Sequence, residues 1–303
     1  MPYRFVNTRE RRTAMKKKVH ILLLLLPFFG IMALMLVSVW NVAIQSLGYI
    51  PAFGLTKPTL KYYAEVFQNP DFLSAVWVSL KIALWSAVFA CILGVALSMA
   101  LIKTRKTKGA TLYAIRLPIL VPHAVVAVFV VQILGQTGLI ARLLYALGFL
   151  TDSGQFPQLL YTPSYFGTIL AYLWKEIPFV AYFVLAFMSS ISDTLGEAAE
   201  NLGAAPLRSF FEVTLPLSLR VIGKAFLIIF IFAFGGYELP LLLGSTLPKA
   251  LSVTTYLSYM NPDLLQRPLA MAMNGTMLLL SAAISFLYAF AVIGLNRKIG
   301  GAA

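Results

Sequence analysis

Residues 20–40 read "HILLLLLPFFGIMALMLVSVW", an unbroken apolar run that opens on one histidine. A helix rises about 1.5 Å per residue, so some twenty apolar residues cross the ~30 Å hydrocarbon core of a bilayer. Six runs in the chain meet that length: His20–Ser46, Phe72–Ile102, Tyr113–Gly135, Tyr165–Ile191, Leu217–Gly244 and Leu269–Leu295. A chain that is 60% hydrophobic and 12% charged lies outside the soluble range. The expected fold is all-α, a polytopic membrane protein with six spans. Arg9, Arg11, Arg12 and Lys16–Lys18 precede the first run in the manner of a signal peptide. That run is too long and lacks a small-residue cleavage site, so an uncleaved helix is expected over 20–46, after a basic segment at 1–19.

The net charge of +13 does not point to nucleic acid, because the basic residues cluster beside the apolar runs. With the N-terminus inside, 14 lysines and arginines fall on inner segments, 5 on outer loops and 5 within or beside the spans. Lysine and arginine bias sets topology. Both termini and the stretch between spans 4 and 5 are therefore expected on the cytoplasmic side of a plasma membrane.

Ala90, Gly94 and Ser98 recur at four-residue spacing in span 2, as do Ser281, Ser285 and Ala289 in span 6. Small residues so placed let helix backbones approach, within this chain or against a second membrane subunit. Pro118 and Pro122 are expected to interrupt span 3, Pro178 span 4 and Pro240 span 5. Freed carbonyls in lipid need protein or a wet cavity around them. Cys91, the single cysteine, excludes an intrachain disulfide and reads as a packing residue.

Charged and polar groups inside spans are costly and mark paths or interhelical bonds. His123, Lys175, Glu176, Glu238 and Asn274 are of this kind. Glu176, Glu238 and Asn274, with Trp174 and Tyr237 close by in sequence, are the candidate translocation path; interhelical hydrogen bonding is the alternative. Lys175 and Glu176 point about 100° apart on a helix and are poor partners for each other. Lys81, near the outer end of span 2, reads as snorkelling outward. No H-E-x-x-H, G-x-S-x-G, C-x-x-C or phosphate-binding loop occurs. No catalytic or metal residue is assigned, and energy for uphill movement has to come from another chain.

One amphipathic insert stands out, "EAAENLGAAPLRSFFEVTLP" from Glu197 to Pro216. A short helix is expected from Glu197 to Leu202, ended by a left-handed turn at Gly203. Pro206 suits the first turn of a second helix carrying Leu207, Phe210, Phe211 and Val213. Helices that rest on lipid are usually rich in lysine and arginine. Here Asp193, Glu197, Glu200 and Glu212 outweigh Arg208, which favours docking to a protein.

Glu197-Ala198-Ala199, Gly203 and Val213-x-Leu215-Pro216, at this spacing, resemble the EAA signature of the permease subunits of type I ABC importers. Val213 stands where isoleucine is usual. The resemblance implies the MetI-like permease fold, with the shared core over 72–295, an added first helix, and an EAA coupling loop over 193–216. It implies that Glu197, Ala198, Ala199, Gly203, Leu215 and Pro216 contact a separate cytoplasmic ATPase, whose ATP-driven closure rocks a permease pair. The implied partners are two ATPase subunits, a second permease (itself or a homologue) and an external solute-binding protein. ATP and magnesium would be held by the ATPase, with no cofactor in this chain. The outer segment "GLIARLLYALGFL" would lie on the membrane or meet the binding protein.

"WKEIPF" at 174–179, "YELPLLLG" at 237–244 and "NPDLLQRPLAMAM" at 261–273 resemble the spermidine/putrescine-type branch. The implied solute is a polyamine. The same branch carries iron(III), thiamine, phosphonates and oxyanions. A membrane enzyme or scaffold without transport is the reading from another class.

Overall fold

The computed structural model describes the backbone of residues 8–300 and the side chains of 22–152 and 154–291. The basic side chains before span 1, together with Arg297 and Lys298, lie outside the described side chains. The helices, in chain order, are α1 Thr8–Ser46, α2 Lys61–Gln68, α3 Pro70–Lys103, α4 Ala110–Leu120, α5 His123–Leu134, α6 Leu139–Ala146, α7 Phe166–Ile191, α8 Glu197–Asn201, α9 Pro206–Ser209, α10 Leu215–Gly235, α11 Glu238–Leu243, α12 Leu251–Tyr259 and α13 Arg267–Gly300. Among the described residues, helices make up the fold, with a single bridge between Ile50 and Leu55. Six helical stretches are long and apolar enough to cross a membrane.

The core is α3 laid along α7, with α10 beside both. Asn69-Pro70 starts α3: the Asn69 side chain accepts from the Asp71 amide at 2.9 Å, and Pro70 occupies the first helical position. The small-residue stripe of α3 then faces α7. A Cβ on Gly94 would fall 2.6 Å from Val180 Cβ and 3.0 Å from the Ile177 carbonyl, so only glycine permits this approach. Ser98 donates to the Ala181 carbonyl at 3.1 Å and to Gly94 at 3.0 Å. The Ala90–Gly94–Ser98 stripe is therefore used within the chain. Ser281 and Ser285 bond back to their own helix, to Met277 and Ser281, at 2.8 Å each. The apolar side chains of α1 over 22–40 are exposed all round, as suits a helix set in lipid beside α13.

The prolines behave differently from one another. Pro122 lacks an amide and drives the preceding residue out of the helical region: Val121 sits at φ −73°, ψ 129°. Span 3 is thus broken into α4 and α5, as its prolines predict. Pro178, expected to interrupt span 4, does not: α7 runs unbroken from Phe166 to Ile191. Its neighbours Val180 and Ala181 are fully buried, and this packing holds the helix through the lost bond. Span 5 breaks earlier than Pro240 predicts. The helix stops at Gly235-Gly236, and Pro240 lies inside α11, where a proline near a helix start leaves few amides unpaired. A Cβ on Gly236 would meet the Tyr172 hydroxyl, so the break depends on glycine.

Every break needs partners for its freed backbone groups. Lys175 donates to the Val121 carbonyl at 2.6 Å, and Ser252 to the Gly236 carbonyl at 2.6 Å. The Leu251 amide, at the start of α12, donates to Ser79 at 2.8 Å. Tyr165 donates to the Pro248 carbonyl at 2.7 Å. Lys81, expected to snorkel, donates to the Pro163 carbonyl in the loop before α7 at 3.3 Å.

Candidate functional site

Two places bring the chemistry of the chain together. The first is the loop between α7 and α10. α8 ends at Gly203, which takes φ +97° with open space around the missing Cβ. That conformation favours glycine for backbone reasons alone. Ala205 is extended, Pro206 opens α9, and α10 begins at Leu215. The two helix–turn pieces follow the order expected from sequence. Two π-helical turns, 192–196 and 210–214, splice them to α7 and α10 and are new. The pieces cross at Gly196, where Ser209 donates to the Gly196 carbonyl at 3.1 Å.

On this loop Glu197, Ala198, Gly203 and Pro216 are exposed, whereas Ala199 and Leu215 are half-buried. Leu202 is 91% exposed, and Leu195, Leu207 and Phe211 are exposed beside it. Arg208 and Glu212 pair with each other at 3.0 Å on the surface. Behind the loop lies a recess of about 240 Å³ where Lys103 and Arg105 of the α3 end face Asp193, Glu197 and Glu200. The loop therefore presents apolar side chains outward, while acids on it share a recess with the basic end of α3.

The second place is the pair of helix breaks. His123 opens α5 and Glu238 opens α11, and His123 Nδ1 lies 3.6 Å from Glu238 Oε2. The His123 ring sits 5.5 Å from Phe232 and 6.3 Å from Tyr172, centroid to centroid. Two hollows meet here. One, of about 260 Å³, is lined by Ile119, His123, Lys175, Glu176, Phe179 and Phe232, among others. The other, of about 310 Å³, is lined by His123, Tyr172, Phe232, Tyr237 and Glu238. Glu176 is 5% exposed, and neither carboxylate oxygen has a hydrogen-bond partner. Lys175 turns to Val121 instead, in keeping with the angle between adjacent helix positions.

Of the candidate path residues, Glu176, Glu238 and Tyr237 thus come together around the breaks. Trp174 is 42% exposed on another face of α7, and neither it nor Asn274 lines these hollows. Tyr172, one of the rings expected near the path acids, is placed between Glu176 and Gly236; the Lys175–Val121 contact was not expected from sequence. The Pro118/Pro122 break was the signal for the latter, since a freed carbonyl in a span calls for a donor. Arg116 was missed altogether; its guanidinium lies over the Tyr182 ring at 4.1 Å.

Residues 90–297 match the family described as "Binding-protein-dependent transport system inner membrane component". The chain belongs to this family. It is 32% identical over 206 residues to the sn-glycerol-3-phosphate transport system permease protein of Yersinia pseudotuberculosis, covering 64% of this chain and 66% of that one. It is 28% identical over 173 residues to the putrescine transport system permease protein of Escherichia coli K12, covering 56% of each. The chain therefore spans under two-thirds to about half of the length of these relatives. A chain of a bacterial ABC transporter involved in import of the acidic polysaccharide alginate has the same fold, with TM-score 0.71 at 21% identity, covering 96% of this chain and 99% of that one. The relatives are named as permease proteins, and this chain is a multi-pass membrane protein of their family. The solutes in these names differ, so the family does not single out polyamines.

Proposed function

We propose that this chain is the membrane subunit of an ATP-driven importer and forms half of its translocation path. The exposed α8–α9 loop carries this reading. It offers a glycine-turned pair of short helices with Leu202 projecting, a shape suited to the cleft of a separate ATPase. Two ATPase subunits would hold the ATP and magnesium. A second permease would complete the path, and an external binding protein would deliver the solute. The loop and both termini then lie in the cytoplasm, the orientation that the distribution of basic residues favours.

The solute is a cation, with polyamines the leading class. Glu176 carries this choice: a buried carboxylate with no partner lines a hollow walled by Phe179 and Phe232, next to Tyr172 and Tyr237. Ammonium groups desolvated there gain both an acid and aromatic faces. The one lysine in the hollow is engaged by the Val121 carbonyl. A second reading, an anionic solute, is favoured by similarity to a glycerol phosphate permease. The test is competition for uptake into vesicles holding the assembled importer, with spermidine and putrescine set against glycerol phosphate, iron(III) and thiamine. Competition by polyamines alone supports the cation; competition by an anion overturns it.

A further inference from the structure

Three basic side chains lie in α4 and α10 on the loop side of the Glu176 hollow, Arg116, Arg220 and Lys224; the two nearer the hollow, Arg116 and Lys224, have no acid near them in sequence or contact. Arg116 is three residues before Ile119, one turn back along α4 from the hollow wall. Its Nε is buried without a hydrogen-bond partner, and its guanidinium is held over Tyr182 at 4.1 Å and toward Tyr113 at 5.7 Å. Lys224 is four residues before Ile228, one turn back along α10 from the same wall, and is exposed. It makes no ion pair among the described residues.

The acids are distributed the opposite way. Glu238 opens α11 after a break and Glu176 lies within α7, and α4, α5, α10 and the part of α7 beyond Glu176 contain no other acid. Charge inside a membrane is retained where it faces water, a partner or a path rather than lipid. Arg116 does not snorkel outward, since its head group is fixed on an aromatic ring of α7.

We infer that Arg116 and Lys224 form a cation-repelling section of the path between the Glu176 hollow and the α8–α9 loop. The inference rests on the reading of the hollow as the path. When the outer side is open, this section stands between a filled hollow and the interior. Two positive charges in a section closed to water exclude inorganic cations far more than they do once the section widens and fills with water. The section then opposes cation leakage while the solute is held at Glu176.

The test uses the importer copurified with its partner subunits, reconstituted in vesicles and arrested with vanadate so that the outer side is open. Rubidium efflux is compared for the native protein, Arg116→Gln with Lys224→Gln, and the charge-keeping pair Arg116→Lys with Lys224→Arg. The glutamine pair should raise rubidium efflux at least several-fold, and the charge-keeping pair should not. Unchanged efflux overturns the proposal. Loss of solute uptake without a leak also overturns it, because the two bases would then be holding an anion. A separate measurement, labelling of Ile119→Cys by a water-soluble thiol reagent, checks the path itself. Labelling without a leak sinks the repelling section alone, whereas absence of labelling in every state sinks the path reading as well.

Discussion

Lys175 Nζ donates to the backbone carbonyl of Val121 at 2.6 Å, so a lysine on α7 completes the helix that Pro122 breaks. The contact ties α7 to the α4–α5 junction, and that junction sets His123 beside Glu238. Lys175→Met would leave the carbonyl unpaired within the membrane, at a cost of about 1–3 kcal/mol. Thermal unfolding in detergent should shift down accordingly, with Lys175→Arg recovering part of the loss. Equal stability of the methionine variant and the native protein would remove the helix-completing role.

A similar measurement addresses the α3–α7 seam. Gly94→Val places a branched side chain where Val180 already lies, and overpacking of this kind typically destabilises by about 1–3 kcal/mol. Gly30→Ala on α1, with nothing within 4 Å of the added carbon, is the control and should be neutral or slightly stabilising. Equal effects of the two substitutions would contradict the close approach.

Span number and the two-piece α8–α9 loop were legible because both are local. Apolar length marks a span, and Gly203 with Pro206 punctuates the loop whatever packs around it. The fates of the prolines were legible only in part. Pro122 breaks its helix because Val121 must become extended, which is a local rule. Pro178 is overruled by α3, and the second break belongs to Gly236, where the deciding neighbour, Tyr172, is distant in sequence. The same distance hid the site: His123 and Glu238 are far apart along the chain and meet only because both begin helices after a break.

Gly203 supplies the next test. Its φ of +97° penalises a β-branched residue by about 1 kcal/mol or more through the backbone, since no side chain crowds the position. Gly203→Val should leave membrane insertion intact while weakening copurification of the ATPase or slowing uptake. Glu197→Lys should act in the same direction through charge reversal. Normal ATPase association together with full uptake would sink the docking role.

Orientation is checked with single cysteines. Substitutions at Thr107 and Arg208 should resist an impermeant thiol reagent in intact cells, and one at Gln155 should label. Thr107 lies beside the α3 end that shares the recess with the α8–α9 loop, so it and Arg208 must behave alike. Labelling of Arg208→Cys from outside would overturn the assignment of the loop to the cytoplasm.

The proposal of a cationic solute is tested at the acids that line the two hollows. Glu176 makes no hydrogen bond and Glu238 lies 3.6 Å from His123, so a cationic solute would find unbonded carboxylate oxygens at Glu176. A charge-assisted contact contributes about 1.5–3 kcal/mol, so Glu176→Gln with Glu238→Gln should reduce putrescine or spermidine uptake by roughly tenfold or more. ATPase copurification should stay normal, because neither residue lies on the α8–α9 loop. The glutamines keep the shape of the hollow, which separates lost charge from lost packing. Uptake that survives the double substitution removes the acids from the path. Glycerol phosphate uptake that rises as they are neutralised would move the binding role to Lys175, which also lines the hollow.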